Sequence, residues 1–250
     1  MLDELRRIAA TVGERKGWDF SQMRDAREPT PWDYVDVVRQ YLRSGDKVLD
    51  MGTGGGEKLL SLASHFGQGV GTDIDPMMVE TARENVPASL KDRVSFLVMA
   101  NEALQFPDCS FDVVLDRHST ICVSESARVL RPDGYFITQQ VGKYNTRSIF
   151  TAFGWDWRSF GPGWWVDLLE LARNFERADC TVIVQAEYDV RYWIEDVESL
   201  MFWLKAVPLP EVFDIERHWE CVAGLLQNCR TGMGIETNEH RILLIARRNG

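Results

Sequence analysis

The chain has 250 residues, of which 45% are hydrophobic and 26% charged, and its formal net charge is −10. That length suits one large domain with a real core. No run approaches the roughly 20 apolar residues of a membrane span, MLDELRRIAA lacks the apolar centre of a signal peptide, and an acidic surface repels nucleic-acid phosphates on average, so a cytoplasmic protein with a small-molecule partner is expected.

In chain order, residues 3–12 read as an amphipathic helix. An aromatic stretch follows, with Trp18, Phe20, Trp32 and Tyr34, broken by Pro29 and Pro31; residues 35–42 resume helical spacing. Residues 47–51 form a short apolar strand ending at a glycine-rich turn. Residues 57–66 follow as a helix with Leu59, Leu60, Leu62 and Ala63 inward, and Gly67 stands where a C-terminal cap belongs. A second strand spans 69–72. Asp75 and Pro76 read as N-cap and first residue of a helix that stops before Pro87. Strands at 93–99 and 111–115, a helix at 124–130, a turn at Pro132-Asp133-Gly134 and a strand at 135–139 complete the regular part. Alternating strands and helices imply a parallel sheet covered on both faces. Beyond it come a helix from Trp164 to Asn174, a strand at 181–188, a helical insertion at 194–235 and a last strand at 242–246. The expected organisation is a single domain over 1–250, with a helical lid at 1–44 and a cofactor-binding core at 45–142.

VLDMGTGGGE (48–57) carries the strongest chemical signal. An apolar strand ends in Asp50, and Gly52, Gly54, Gly55 and Gly56 lead into a helix. Glycines permit a sharp turn and a close ligand, and ligands bind at the carboxyl ends of strands in such sheets. A dinucleotide fingerprint G-x-G-x-x-G would need glycine where Glu57 stands, and a phosphate loop G-K-[ST] is absent, so an NAD-dependent oxidoreductase is disfavoured. Asp50 suits a ligand with a positive amino group and no phosphate. In VGTDIDP (70–76), Asp73 ends the second strand, where a carboxylate accepts both hydroxyls of a ribose. Cys109, Cys122, Cys180, Cys221 and Cys229 are odd in number and form no C-x-x-C pair, which speaks against a zinc site or disulfide framework. No metal is expected.

These two motifs, together with NEALQFPDCSFDVV (101–114) and ARVLRPDGYF (127–136), resemble the successive motifs of class I S-adenosylmethionine-dependent methyltransferases. The resemblance is strongest to the group typified by ubiquinone and menaquinone biosynthesis enzymes, and it covers roughly residues 45–140. It implies a Rossmann-like, seven-stranded, mostly parallel sheet with helices on both faces and a final antiparallel strand, and S-adenosylmethionine as cofactor. Carried over, Asp50, Gly52, Thr53 and Gly54 would hold the methionine part and the loop, Asp73 the ribose, and Ile74 the adenine. The position where the family commonly has an aspartate contacting the adenine amino group is Ala100; Asn101, through side chain or backbone, is the substitute, with Glu102 beside it. Asp116, Arg117, His118 and Ser119 would lie near the methionine end. Within that segment, His118 is a candidate base or merely a wall of the pocket. Gln139 and Gln140 at the end of their strand are candidates for the substrate side or ordinary strand-end polar residues. Nine tryptophans suggest core filling for most and an apolar enclosure from Trp18, Trp32 and Trp203 for some. The tetrad [DN]-P-P-[YF] of nucleic-acid amino methylation is absent. A non-catalytic S-adenosylmethionine-binding protein and an RNA methyltransferase remain as alternatives.

Overall fold

The computed structural model describes residues 1–15, 18–160 and 165–250. Its strands, in chain order, are β1 (Asp25–Arg27), β2 (Lys47–Met51), β3 (Gln68–Asp73), β4 (Val94–Val98), β5 (Phe111–Arg117), β6 (Leu130–Val141), β7 (Cys180–Ile194), β8 (Arg230–Thr231) and β9 (Gly234–Arg248). The chain divides into two compact units.

The first, hereafter the core unit, comprises residues 31–141, 166–187 and 242–250. Its seven strands lie in the order β7-β9-β6-β5-β2-β3-β4, with residues 180–187 of β7 and 242–248 of β9 taking part. β6, β5, β2, β3 and β4 pair in parallel. Successive side chains of a strand point to opposite faces, and two apolar clusters follow that alternation. Leu49, Met51, Val114, Phe136 and Leu244 pack with Ala127 and Val129 of the helix Val123–Val129 and with Leu171 and Phe175 of the helix Leu168–Arg177. Val48, Val113, Leu115, Ile137 and Ile245 pack with Tyr34 and Val38 of Tyr34–Arg39, Leu59 of Glu57–Ser61, and Val79 and Ala82 of Pro76–Glu84. The expected sheet with helices on both faces is therefore present, and residues 48–51 are all buried because helices cover both sides.

Several boundaries differ from expectation for identifiable reasons. The helix expected over 57–66 ends at Ser61. Beyond it the backbone tightens into three-residue turns, with Leu62, Ala63 and His65 N–H bonded to the carbonyls of Leu59, Leu60 and Leu62. Gly67 is not a helix cap: its N–H donates to Asp46 O at 2.9 Å, and a Cβ there would lie 3.1 Å from Ser44 O. The Pro132-Asp133-Gly134 turn is a bulge within β6, because Phe111 pairs with Leu130 whereas Val113 pairs with Tyr135. As expected, Asp75 caps the helix Pro76–Glu84, its side chain accepting from Met77 N at 2.8 Å. Trp164, the expected start of a helix, lies outside the described residues; the helix observed runs Leu168–Arg177.

The second unit comprises residues 1–30, 142–165 and 188–241. Its helices Leu2–Thr11, Arg147–Ala152, Val197–Ala206 and Ile215–Cys229 surround a cluster that includes Leu5, Phe150, Leu200, Trp203, Val222 and Ile235. The last two helices are the expected 194–235 insertion. β7 and β9 each run 15 residues, longer than expected. Their stretches in this unit carry polar residues whose burial is satisfied by pairing. Glu239 accepts from Tyr188 Oη at 2.6 Å and bridges Arg27 and Arg241. Asn238 donates to Tyr144 O and Asp189 and accepts from Arg147 N. Among the described residues no helix is long and apolar enough to cross a membrane.

Candidate functional site

The loop after β2 is shaped by two glycines with left-handed backbones. At Gly52 (φ 64°) a Cβ would lie 2.2 Å from the Ser119 Cβ, so the loop after β5 packs directly on it. Gly54 (φ 56°) has nothing within 4 Å of its would-be Cβ, so the backbone there faces open space. Between them Thr53 N–H donates to Thr72 O at 2.8 Å, and Thr53 Oγ1 donates to Asp50 Oδ2 at 2.7 Å. The loop is thus tied to β3 and to the carboxylate that ends β2.

Asp73, at the end of β3, is held by two backbone donors, Gly54 N–H on Oδ2 and Asp75 N–H on Oδ1, both at 2.9 Å. A carboxylate oxygen accepts more than one hydrogen bond, so each keeps capacity for a further hydroxyl. Beside it Ile74 and Met77 are both 71% exposed, and Val98, opposite Asp73 in the β3–β4 register, is half-exposed. A flat apolar ring finds a shelf there. Of the next segment, Asn101 is buried and its Nδ2 is committed to Ser119 Oγ at 3.1 Å and Thr120 O at 2.8 Å. Its side-chain amino group therefore holds the turn after β5, while Glu102 is exposed and Ala100 half-buried.

Two buried carboxylates end the central strands. Asp50 is 5% exposed, and burial pushes its pKa up to about 6, against the pull of the Thr53 hydrogen bond and the Arg117 charge. Asp116 is fully buried, and desolvation pushes it up to about 7 although it accepts from Ser119 Oγ (2.9 Å) and Gln140 Nε2 (2.8 Å). Gln140 Nε2 also reaches Thr138 Oγ1, so its amino group is spent inside the unit. The two acids point to opposite faces of the sheet, since Asp50 stands opposite Leu115 and Met51 opposite Asp116.

On the Asp50 face, Tyr34 is buried with its hydroxyl 3.4 Å from Ile137 O, and desolvation, then the charges of Asp50 and Asp116, hold its pKa well above the ordinary value. The Arg117 guanidinium lies 5.9 Å from the Tyr34 ring. Trp32 Nε1 donates to Gln139 Oε1 at 2.9 Å. His118 is exposed in a left-handed backbone (φ 59°), its N–H donating to Gln139 O.

The core unit thus contains Asp50, Gly52, Thr53, Gly54, Asp73, Ile74, Ala100, Asn101, Glu102, Asp116, Arg117, His118, Trp32 and Gln140. Trp18, 60% exposed, and Trp203, 8% exposed in an apolar cluster, belong to the second unit. Sequence reasoning gave no role to Tyr34, and to Gln139, as to Gln140, only a candidate place on the substrate side. Ser119 ends the Asp-Arg-His-Ser run it had singled out, but the bonds that make Ser119 central come from residues far along the chain.

A doubly covered parallel sheet with an open glycine loop and two acids near the carboxyl ends of β2 and β3 is an arrangement of the Rossmann-like class. Residues 49–138 match the family described as a methyltransferase domain. Over 154 residues the chain is 32% identical to the demethylmenaquinone methyltransferase of Symbiobacterium thermophilum, covering 57% of this chain and 61% of that protein. It is 37% identical over 102 residues to the 27-O-demethylrifamycin SV methyltransferase of Amycolatopsis mediterranei, covering 37% and 38%. The chain therefore spans about three fifths or less of the length of these curated relatives. The crystal structure of the YcgJ protein of Bacillus subtilis shares the fold, with a TM-score of 0.63 at 20% identity over 87% of this chain and 98% of that one. Residues 49–138 thus carry the pattern of a methyltransferase domain, and the relatives matched over part of their length are named as methyltransferases.

Proposed function

We propose that the protein transfers a methyl group from S-adenosylmethionine to a small-molecule acceptor with an apolar or aromatic body. The observation that carries this reading is the open space over Gly54, whose N–H is held by Asp73 and whose neighbour Thr53 is held to Asp50. The donor set fits the cofactor: a carboxylate for an ammonium group, a backbone-fixed carboxylate for a vicinal diol, and an apolar shelf for adenine. When bound, S-adenosylmethionine supplies a methyl group already activated by a positive sulfur. The chain's task is to bind, orient and exclude water. Asp73 orients the ribose; Ile74 packs on adenine, with the backbone of Ala100, Asn101 and Glu102 along its edge. Asp50, Gly52, Thr53 and Gly54 hold the methionine end. His118, exposed on the loop after β5, takes the proton of an acceptor hydroxyl or amine. Trp32 supplies apolar surface to the acceptor; Gln140 serves it through Asp116, which it holds in place. Both relatives above are named for small-molecule acceptors, and a net charge of −10 disfavours nucleic acid.

Calorimetric titration with S-adenosylmethionine, S-adenosylhomocysteine and NADH, beside Asp73→Ala, tests the reading. The first two should bind and NADH should not. Loss of hydrogen bonds to a charged group should weaken binding about tenfold or more in the variant. A screen of acceptors with labelled methyl groups then follows. Binding of NADH, or of none of the three, would overturn the proposal.

A further inference from the structure

Near the end of β6, Gln139 carries a carboxamide of which only one half is committed. Its Oε1 accepts from Trp32 Nε1 at 2.9 Å. An indole N–H is a donor only, so the half of the amide that it meets must be the oxygen. The amino half is thereby turned the other way. Gln139 is only 6% exposed and no described residue accepts from its Nε2, yet that nitrogen is not enclosed: it reaches the accessible surface. Its neighbour differs. Gln140, on the other face of the sheet, spends its amino group on Asp116 and Thr138. Two protons held at a rim in one orientation are a device for recognising an oxygen, because the amide gives up little rotational freedom when it binds one.

The register of the sheet says which part of a ligand they meet. Gln139 stands opposite Arg117, on the face shared by Ile137, Leu115 and Asp50. In the order β6-β5-β2-β3-β4, neighbouring strands lie about 4.8 Å apart, which puts β6 roughly 14 Å across the sheet from β3 and the ribose-binding Asp73. Gln139 therefore lies on the far side of the glycine loop from the adenosine end. Its backbone carbonyl accepts from His118 N–H at 3.1 Å, so the residue given above the acceptor's proton is tied to the same position.

We propose that the Gln139 amide donates to a carbonyl oxygen on the body of the methyl acceptor, with Trp32 as the positioning residue that fixes its orientation. This rests on the methyl-transfer reading given above and narrows its acceptor to molecules whose apolar or aromatic body bears such an oxygen. The site thus separates groups that accept a hydrogen bond from groups that must donate one.

The test titrates wild type, Gln139→Glu and Trp32→Phe, each saturated with S-adenosylhomocysteine, with 1-tetralone and with 1-tetralol. The probes share an aromatic skeleton; the ketone only accepts hydrogen bonds, whereas the alcohol also donates. Gln139→Glu keeps an oxygen for Trp32 and removes the two protons. It should lower the ketone-to-alcohol affinity ratio about tenfold or more relative to wild type. Trp32→Phe frees the amide to turn and should give a ratio between those two. Equal weakening of both probes in Gln139→Glu would assign the residue a structural role and overturn the inference, as would failure of wild type to bind the ketone. In wild type labelled with nitrogen-15, 1-tetralone should also shift the side-chain amide signals of Gln139; should Gln139→Glu fail to fold, those signals decide, and unmoved signals overturn the inference. Binding of S-adenosylhomocysteine without binding of the ketone fails this inference alone, whereas no binding of S-adenosylhomocysteine by wild type fails the methyl-transfer reading on which it rests.

Discussion

Gly52 and Ser119 compete for the same space: a methyl group at position 52 would overlap the serine Cβ. Gly52→Ala should therefore destabilise the chain twice, through collision and through roughly 1–2 kcal/mol for a left-handed alanine. Adding Ser119→Gly should recover the collision share, and a double-mutant cycle by denaturant melts should give a coupling above about 0.5 kcal/mol. Additive losses would show that the loops yield independently. The residues of this site divide by how far their partners lie along the chain. The placement of Asp50, Gly52, Gly54 and Asp73 was readable because it is set within a strand and its turn. Trp32 and Tyr34 were not assigned their contacts because these fall on Gln139 and Ile137, more than a hundred residues away. Periodicity marks a side chain as inward but does not name its neighbour.

Among the elements, the helix Pro76–Glu84 begins beside the site, and its cap fixes the direction in which the chain leaves Asp73. Replacing Asp75 by alanine should cost about 1 kcal/mol of stability. It should leave cofactor affinity within about threefold, since the Asp73 bond comes from the backbone N–H at position 75 and not from that side chain. Thermal melts and titration read the two effects separately; a larger loss of affinity than of stability would show that the cap shapes the site itself. Of the strands under two-sided apolar cover, β2, β3 and β4 were legible to within a residue at each end, whereas β5 runs on to Arg117 and β6 spans Leu130–Val141 rather than 135–139. The longer reaches of β7 and β9 were not legible, because Asn238, Glu239 and His240 read as surface in sequence. Only pairing with Tyr188, Arg27, Asp189 and Asn145 makes their burial tolerable.

For the whole molecule, the buried acids set a pH dependence. Asp50 and Asp116 titrate near 6 and 7 when folded, whereas an unfolded aspartate titrates near 3.9. Between those values the folded chain binds more protons than the unfolded one, so stability of the ligand-free protein should fall as pH rises from about 4 to about 7. Below that window the two states are equally protonated at these groups and the effect vanishes. Asp116→Asn keeps acceptors and donors for Gln140 and Ser119, and it should flatten the slope and raise the denaturant midpoint at pH 8 relative to wild type. A slope unchanged by this variant would place the titration elsewhere. At this scale the βα alternation disclosed the doubly covered sheet, but the division into two units was hidden, because each is assembled from three separated stretches of chain. That threading bears on how the protein is made. The segment 242–248 of β9 lies between β6 and β7, yet it follows both in the chain. Until it arrives, the nascent sheet has an open slot with two unpaired rims facing each other, a socket that any passing extended peptide can enter, so this late strand acts as the keystone of the sheet.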